Sequence, residues 1–475
     1  MTELKTPVLA RIPFQRRGRP AGRTSGAAGS RPLLSRVNAV AVLLVAVDLG
    51  ALLLAIMLTD AGVLDVVAAG LTLWGARTAA RVHRRRLWLS WLQDFPRSAA
   101  ASGAAFALLT GITLVAGHRG PEMAAAPSLV LVFAVVSECA RPWVFAFGRW
   151  GRRRLRRCDR AIVVGAPHCS SDLISTMLRH PEFGLLPVGF ASSDPETGHG
   201  EIPVERIGDD LAEAITRLGV GTVVLAHSPA SDNAVVEAAI TAQRLGCVIL
   251  VLPRLFPLVP DGTGTDRLRG YPLVWLAGAP TRRFSWRIKR VLETAVAALA
   301  LVVLAPVIAL CGLAVALESG FPVVFRQTRV GVDGRTFVLY KLRSVRTADV
   351  DDSATRWSVA GDRRVGPVGR LLRRTSLDEL PQLWNVVRGD MALIGPRPER
   401  PVFVDEFSTI YDLYWARHRV PTGLTGLAQV HGLRGDTSIA ERARYDNYYI
   451  ANWSLWLDLK IVVLTVGELL CRRQC

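Results

Sequence analysis

The chain has 475 residues, half of them hydrophobic, and its 58 Lys and Arg against 40 Asp and Glu give a formal net charge of +18. Apolar bulk combined with positive charge sets it apart from ordinary soluble proteins and suits a membrane protein whose basic segments face an anionic leaflet. Nucleic acid is set aside as a partner, because the basic runs flank apolar segments. The seven cysteines are odd in number and scattered without a CxxC, so reduced thiols are expected and no zinc site.

Residues 1–36 carry eight Lys or Arg against one Glu, with several Gly, Pro and Ser. A disordered basic arm is expected there, holding the N-terminus on the cytoplasmic side, and no signal peptide, since the first apolar run begins only afterwards. Four transmembrane helices are expected over residues 37–148. Val37–Leu58 is interrupted only by Asp48 and meets the roughly 20 residues a bilayer needs. Ala61–Ala80 is a weaker second span, Ser98–Gly117 a third and Ser128–Phe147 a fourth. Basic clusters stand before the first span, between the second and third (Arg81–Arg97, with Trp88 and Trp91 as interface anchors) and after the fourth (Arg149–Arg157). The two other loops are poor in Lys and Arg, so both ends of the bundle read as cytoplasmic. Asp48, Asp65 and Glu138 inside the spans are candidates either for function or for helix packing.

Residues 159–260 alternate between β and α patterns. Strands are expected at Arg160–Val164, Leu185–Ala191, Thr222–Ala226 and Val248–Leu252, with helices at Cys169–Arg179, Asp209–Leu218 and Asn233–Leu245. The alternation implies a parallel sheet in a Rossmann-like α/β module. Its first turn, Gly165-Ala-Pro-His-Cys-Ser170, has Pro167 and Ser170 where a dinucleotide fingerprint needs glycines, so a structural or regulatory role is expected rather than NAD binding.

Residues 261–286 contain Gly and Pro and read as a linker. The apolar run Val291–Leu317 is long enough to span, but crossing would leave one basic flank outside. Pro306 at its centre removes a backbone bond and kinks the helix. A re-entrant membrane helix over residues 287–318, entering and leaving by the cytoplasmic face, meets both observations; a plain kinked span is the alternative. Residues 319–475 read as an α+β catalytic domain. Strands are expected at Pro322–Arg326 and Thr336–Leu342, a polar stretch at Thr347–Val365, and helices at Leu380–Val387 and Ser438–Trp453. The apolar end, Trp453–Leu470, either lies in the membrane interface or packs in the domain core.

The chemistry gathers at Thr375–Arg397. Asp378 and Glu379 are adjacent carboxylates among Arg370, Arg373, Arg374, Arg388, Arg397 and Arg400. Ser376 to Glu379 fits a capping box, although Pro381 favours Asp378 itself as the cap; either register puts Asp378 near a helix N-terminus, whose dipole favours the anion. Plain capping is the structural alternative. A carboxylate can attack phosphorus to form an acyl phosphate if a metal and cations neutralise the phosphates. Mg²⁺ uses one or two carboxylates plus phosphate oxygens and water, and Glu379 is placed to supply one. Arg343, Arg374 and Arg397 are candidates for bidentate phosphate contacts and Lys341 for a point charge. Gly395-Pro-Arg-Pro398 is a stiff turn that would fix one guanidinium.

Arg326-Gln-Thr-Arg-Val-Gly331, Tyr340-Lys-Leu-Arg-Ser344, Leu372–Gln382, Gly389-Asp-Met391, Gly395–Glu399, Pro421–Gly426 and Ala451–Lys460 together resemble the bacterial sugar transferases, the polyprenyl-phosphate glycosyl-1-phosphate transferases that begin exopolysaccharide and O-antigen synthesis. The resemblance covers Lys289–Val466, and the preceding spans and Rossmann-like module resemble the large form of that family. It implies transfer of a sugar 1-phosphate from a UDP-sugar to polyprenyl (undecaprenyl) phosphate at the cell membrane, with the catalytic domain cytoplasmic and UMP released. It further implies Asp378 as nucleophile, Glu379 serving Mg²⁺, and a re-entrant helix; homodimerisation is left open. Ala305-Pro306 departs from the usual Ser-Pro of that helix, and Glu293 replaces a shorter acid. A membrane-bound nucleotide-sugar dehydratase is disfavoured by the lack of a glycine fingerprint and a Tyr-x-x-x-Lys pair. A non-catalytic assembly scaffold is the remaining alternative.

Overall fold

The computed structural model describes residues 39–59, 61–115, 125–191, 205–206, 210–227, 232–260, 262, 264–276, 278–345, 365–435 and 437–471. The expected basic arm and residues 347–364 of the polar stretch lie outside the described residues. The chain divides into two compact units, Met1–Leu276 and Ala277–Cys475.

The first unit opens with helices α1 (Ala39–Leu58), α2 (Val63–Ala79), α3 (Trp91–Val115) and α4 (Ala125–Arg154). Their packing is the reverse of a soluble bundle. Alanines (Ala51, Ala55, Ala69, Ala105, Ala126) share the interior with Leu73, Leu109, Leu129 and Phe133, while Leu53, Met57, Leu71, Leu108 and Leu131 point outward. Close backbone approach inside and large apolar side chains outside suit lipid as the surrounding solvent. α4 runs past Phe147 through the arginine cluster, since Arg is a good helix former and cations are favoured in a last turn. The expected second span is α2, whose 17 residues stand at the short end of what a bilayer needs. Among the described residues, the helices long and apolar enough to cross a membrane are α1, α3, α4 and a 36-residue helix in the second unit.

Polar groups tie this bundle together from inside. Asp48 of α1 accepts hydrogen bonds from Arg77 of α2 at 2.7 Å and from Ser137 of α4 at 2.7 Å, and lies 2.6 Å from His83. Glu138 of α4 accepts from Arg77 at 3.5 Å and from the Trp91 indole at 3.1 Å. Charges buried at membrane depth persist when paired in this way. Asp65 accepts from the Gly62 N–H at 3.2 Å, at the start of α2. The three intramembrane acids therefore serve helix packing and helix ends.

The rest of the first unit is a seven-stranded sheet. β1 (Asp159–Val164), β2 (Leu185–Ala191), β3 (Glu205–Arg206), β4 (Thr222–Leu225) and β5 (Val248–Val251) are parallel in the order β3-β2-β1-β4-β5. Helices α5 (Pro167–Arg179), α6 (Leu211–Arg217) and α7 (Asp232–Leu245) connect them. Two antiparallel strands, β6 (Thr265–Leu268) and β7 (Tyr271–Leu276), extend the β5 edge. This overturns the linker expected over residues 261–286. Arg269 and Gly270 both take positive φ, 51° and 104°, which makes a two-residue hairpin turn out of what reads as a breaker.

The second unit is built on α8 (Phe284–Ser319). Then come the antiparallel hairpin β8 (Val324–Val330) and β9 (Thr336–Leu342), α9 (Pro367–Thr375), α10 (Gln382–Arg388), β10 (Ala392–Ile394), α11 (Pro401–Ile410), β11 (Gly423–Thr425) parallel to β10, α12 (Leu427–Val430), α13 (Ile439–Ala451) and α14 (Leu455–Cys471). α8 is bound to this unit at both ends. Near its start, Lys289 Nζ donates to Glu293 at 2.7 Å, Asp458 at 2.9 Å, Tyr449 at 3.3 Å and the Ile394 carbonyl at 3.1 Å, and Glu293 accepts the Ile394 N–H at 3.0 Å. Its middle lays Ala297, Leu301 and Leu304 against Leu339, Leu383 and Val386. Beyond Pro306, Cys311 and Val315 meet Leu342 and Leu372, and Glu318 accepts the N–H groups of Val368 and Gly369 at 3.0 and 3.3 Å, capping α9. The apolar faces of α14 stay outward at Trp456, Leu459 and Val463.

Candidate active site

The two carboxylates sit where α9 stops. Ser376 takes a left-handed conformation, φ 57°, and ends α9. A 3₁₀ turn over Leu377–Glu379 follows, closed by the Glu379 N–H to the Ser376 carbonyl at 3.2 Å, and Pro381 is the residue from which α10 departs. Both expected capping registers are therefore corrected. An N-cap needs extended backbone, and the left-handed Ser376 cannot supply it. Its side chain makes no cap bond, and neither acid caps α10. With capping removed, neither acid is tied to the end of a helix.

Their environments differ. Glu379 Oε1 accepts from Lys341 Nζ of β9 at 2.7 Å and from an Arg397 guanidinium nitrogen at 2.8 Å. Burial pushes the Glu379 carboxyl up, but Arg397 and Lys341 more than offset this and hold it well below the usual carboxylate range. Asp378 has no such clasp: among the described residues none donates to it. Burial raises its pKa above the ordinary 3.8, the Glu379 charge adds to that, and Lys341, Arg373 and Arg397 only partly oppose it. Burial in turn lowers Lys341 from its ordinary 10.5, partly offset by Glu379. One acid is thus a fixed anion within an ion-pair cluster, and its neighbour is an uncommitted carboxylate of raised proton affinity.

Backbone packing fixes the Arg397 turn. A Cβ on Gly395 would lie 2.5 Å from the Pro421 carbonyl oxygen, one on Gly423 would lie 2.1 Å from the Gly395 nitrogen, and one on Gly426 would lie 2.2 Å from the Gly395 oxygen. The glycines of Gly395–Pro398 and Pro421–Gly426 exist to let these two segments touch. Three further guanidinium groups hold the turn, and sequence reasoning did not assign them. Arg417 donates to the Arg397 carbonyl at 3.1 Å, Arg329 to the Pro398 carbonyl at 3.0 Å, and Arg442 to Glu399 at 3.2 Å. Arg329 sits in the Arg326–Gly331 motif, so a motif signal for it existed. Arg442 falls in the expected helix Ser438–Trp453 and Arg417 in a 3₁₀ stretch, both outside the quoted motifs.

Of the expected phosphate ligands, Lys341 and Arg397 meet at Glu379. Arg343 lies at the end of β9, where its backbone N–H donates to Val323. Arg374 is exposed on the last turn of α9, and the guanidinium acting on Asp378 from that helix is that of Arg373. Among the described residues no group of three or more His, Cys, Asp or Glu is placed to hold a metal. Asp378 and Glu379 alone still fit Mg²⁺, which takes few protein carboxylates and completes its shell with water and phosphate oxygens. A carboxylate whose proton affinity is raised beside another anion is one that a nearby cation would relieve.

Residues 284–472 match the model of a family described as bacterial sugar transferase. A UDP-glucose:undecaprenyl-phosphate glucose-1-phosphate transferase of Klebsiella pneumoniae is 33% identical over 346 residues, covering 70% of this chain and 74% of that protein. One of the same description from Caulobacter vibrioides is 49% identical over 186 residues, covering 38% of this chain and 69% of its own. A UDP-N-acetylgalactosamine-undecaprenyl-phosphate N-acetylgalactosaminephosphotransferase of Aeromonas hydrophila is 41% identical over 207 residues, covering 43% of this chain and 48% of that one.

Proposed function

This chain belongs to the bacterial sugar transferase family as a polyprenyl-phosphate glycosyl-1-phosphate transferase, and from that premise we propose that it works through a covalent phosphosugar on Asp378. An Asp378 oxygen attacks the sugar-bearing phosphorus of a UDP-sugar, and the bond from that phosphorus to the bridging oxygen breaks. UMP leaves with the bridging oxygen. An oxygen of undecaprenyl phosphate then attacks the same phosphorus and displaces the carboxylate, giving polyprenyl diphosphate sugar. No proton needs to move in either step. The observation that carries this reading is the contrast between the pair: Asp378 is half-buried and unclasped by any described residue, while Glu379 is locked to Lys341 and Arg397.

Lys341 and Arg397 would take phosphate oxygens, Arg397 in bidentate fashion. Mg²⁺ held by Glu379 and Asp378 would supply neutralising charge to the diphosphate. The attachment of α8 to its own unit on both sides of Pro306 supports a re-entrant helix. Straight, its 36 residues would run about 54 Å, well beyond a hydrocarbon core of about 30 Å. The basic clusters support an inner-membrane enzyme with this unit on the cytoplasmic side, opening an exopolysaccharide pathway. The strand order β3-β2-β1-β4-β5 supports a Rossmann-like module. In its first turn the Gly165 amide is bonded to the Ala191 carbonyl and that of Ala166 to His227, and Pro167 has none, which favours a structural or regulatory role.

The test is UMP release by the full chain in nanodiscs with undecaprenyl phosphate, Mg²⁺ and a panel including UDP-glucose and UDP-N-acetylgalactosamine. Asp378→Ala should lose activity by at least about a thousandfold. Intact-mass analysis after mixing with donor alone should find one sugar phosphate per wild-type chain and none on the variant. Full activity in Asp378→Ala would remove the covalent mechanism but leave the enzyme class standing.

A further inference from the structure

The segment between α2 and α3 and the last turns of α4 enclose a half-open cleft of about 380 Å³, within the size range of ligand sites. Trp88, Trp91, Leu92 and Phe145 give it apolar walls, and Ser90 and Arg149 are polar groups of its lining. Trp91 spends its indole N–H on Glu138, so it offers the cleft only ring surface. Arg149 donates to the Leu89 carbonyl and forms no ion pair with a described residue, so its charge is uncompensated. The cleft also sits at a definite level. Leu92 is 73% exposed, Trp143 77% and Trp150 49%, the aromatic signature of a membrane–water boundary, and α4 continues directly into Arg152, Arg153 and Arg154. Gly148 allows this close approach of α4 to the segment, since a Cβ there would lie 2.8 Å from Leu89.

An occupant must be apolar against the tryptophans and anionic at Arg149, and must reach the site from within the bilayer. We propose that this cleft binds an anionic glycerophospholipid, its phosphate on Arg149 and the start of an acyl chain between Trp88, Trp91 and Phe145. Electrostatic attraction of a basic juxtamembrane run enriches such lipids nearby, and the cleft converts enrichment into a seated molecule. The cleft belongs to the first unit and Asp378 to the second, and seating a lipid requires no part of the transfer chemistry.

Native mass spectrometry of the full chain in detergent, titrated with phosphatidylglycerol or phosphatidylcholine of equal chain length, tests it. Arg149→Gln keeps an N–H for the Leu89 carbonyl but removes the charge. Ser90→Trp fills the cleft and leaves Arg149 in place. Wild type should hold one phosphatidylglycerol at least about tenfold more tightly than phosphatidylcholine, and each variant should lose that preference. Equal binding of the two lipids by wild type, or undiminished phosphatidylglycerol binding by either variant, overturns the proposal. Ser90→Trp decides alone should Arg149→Gln not fold.

Discussion

In the proposed mechanism Asp378 attacks as the anion, so its raised pKa has a kinetic consequence with a definite sign. As pH falls through that raised value the nucleophile is protonated and the rate drops. The acid limb of kcat/KM should therefore lie above the ordinary carboxylate value of 3.8. Lys341 is the largest charge opposing the shift, and Glu379 reinforces it. Lys341→Met should move the limb to higher pH and Glu379→Gln to lower pH, each on top of a reduced rate. Limbs that move together would show that Asp378 is not the titrating group. The pair itself was legible in the sequence, because adjacent acids in an arginine-rich stretch are conspicuous. Which arginine faces them was not. Arg373 and Arg374 are neighbours on a helix, and only the phase of α9 decides which one bears on Asp378. Arg417 was illegible for a different reason: its contact with the Arg397 carbonyl joins residues remote in the chain.

Among the elements, the strands of the sheet followed from β-branched runs, and β9 occupies the expected Thr336–Leu342. The β6–β7 hairpin did not follow, because Pro272 and Gly270 advertise a linker. Pro272 is tolerated within β7 because it stands second in the strand, ahead of Val274 where pairing with β5 begins. The start of α8 was read for its charge pattern, and the structure adds a buried junction. Lys289 pairs with both Glu293 and Asp458 there, at 2.7 and 2.9 Å. Lys289→Met should leave both acids without it and cost about 3–5 kcal/mol, read as a lower unfolding midpoint in micelles. An unchanged midpoint would mean that α8 is anchored by its apolar face alone. Glu293, the longer acid, still reaches the Ile394 N–H at 3.0 Å, so that departure from the family pattern preserves the junction.

At the scale of the whole molecule, Asp378, Glu379, Lys341 and Arg397 all lie in the unit Ala277–Cys475. The Caulobacter relative is matched over 69% of its length by only 38% of this chain. Residues 277–475 alone, in nanodiscs, should therefore release UMP with kcat of the same order as the full chain. Loss of activity in a folded fragment would assign the first unit a part in catalysis. α8 bears on both cations at Glu379, from opposite sides of Pro306. The arm before Pro306 holds Ile394, just ahead of the turn that carries Arg397, and the arm after it packs against Leu342, next to Lys341. The two arms work as a caliper whose jaws close on a carboxylate. If α8 is re-entrant as proposed, a change in bilayer thickness that bends it at Pro306 would alter the gap between the jaws and tie a surface reaction to the membrane beneath it.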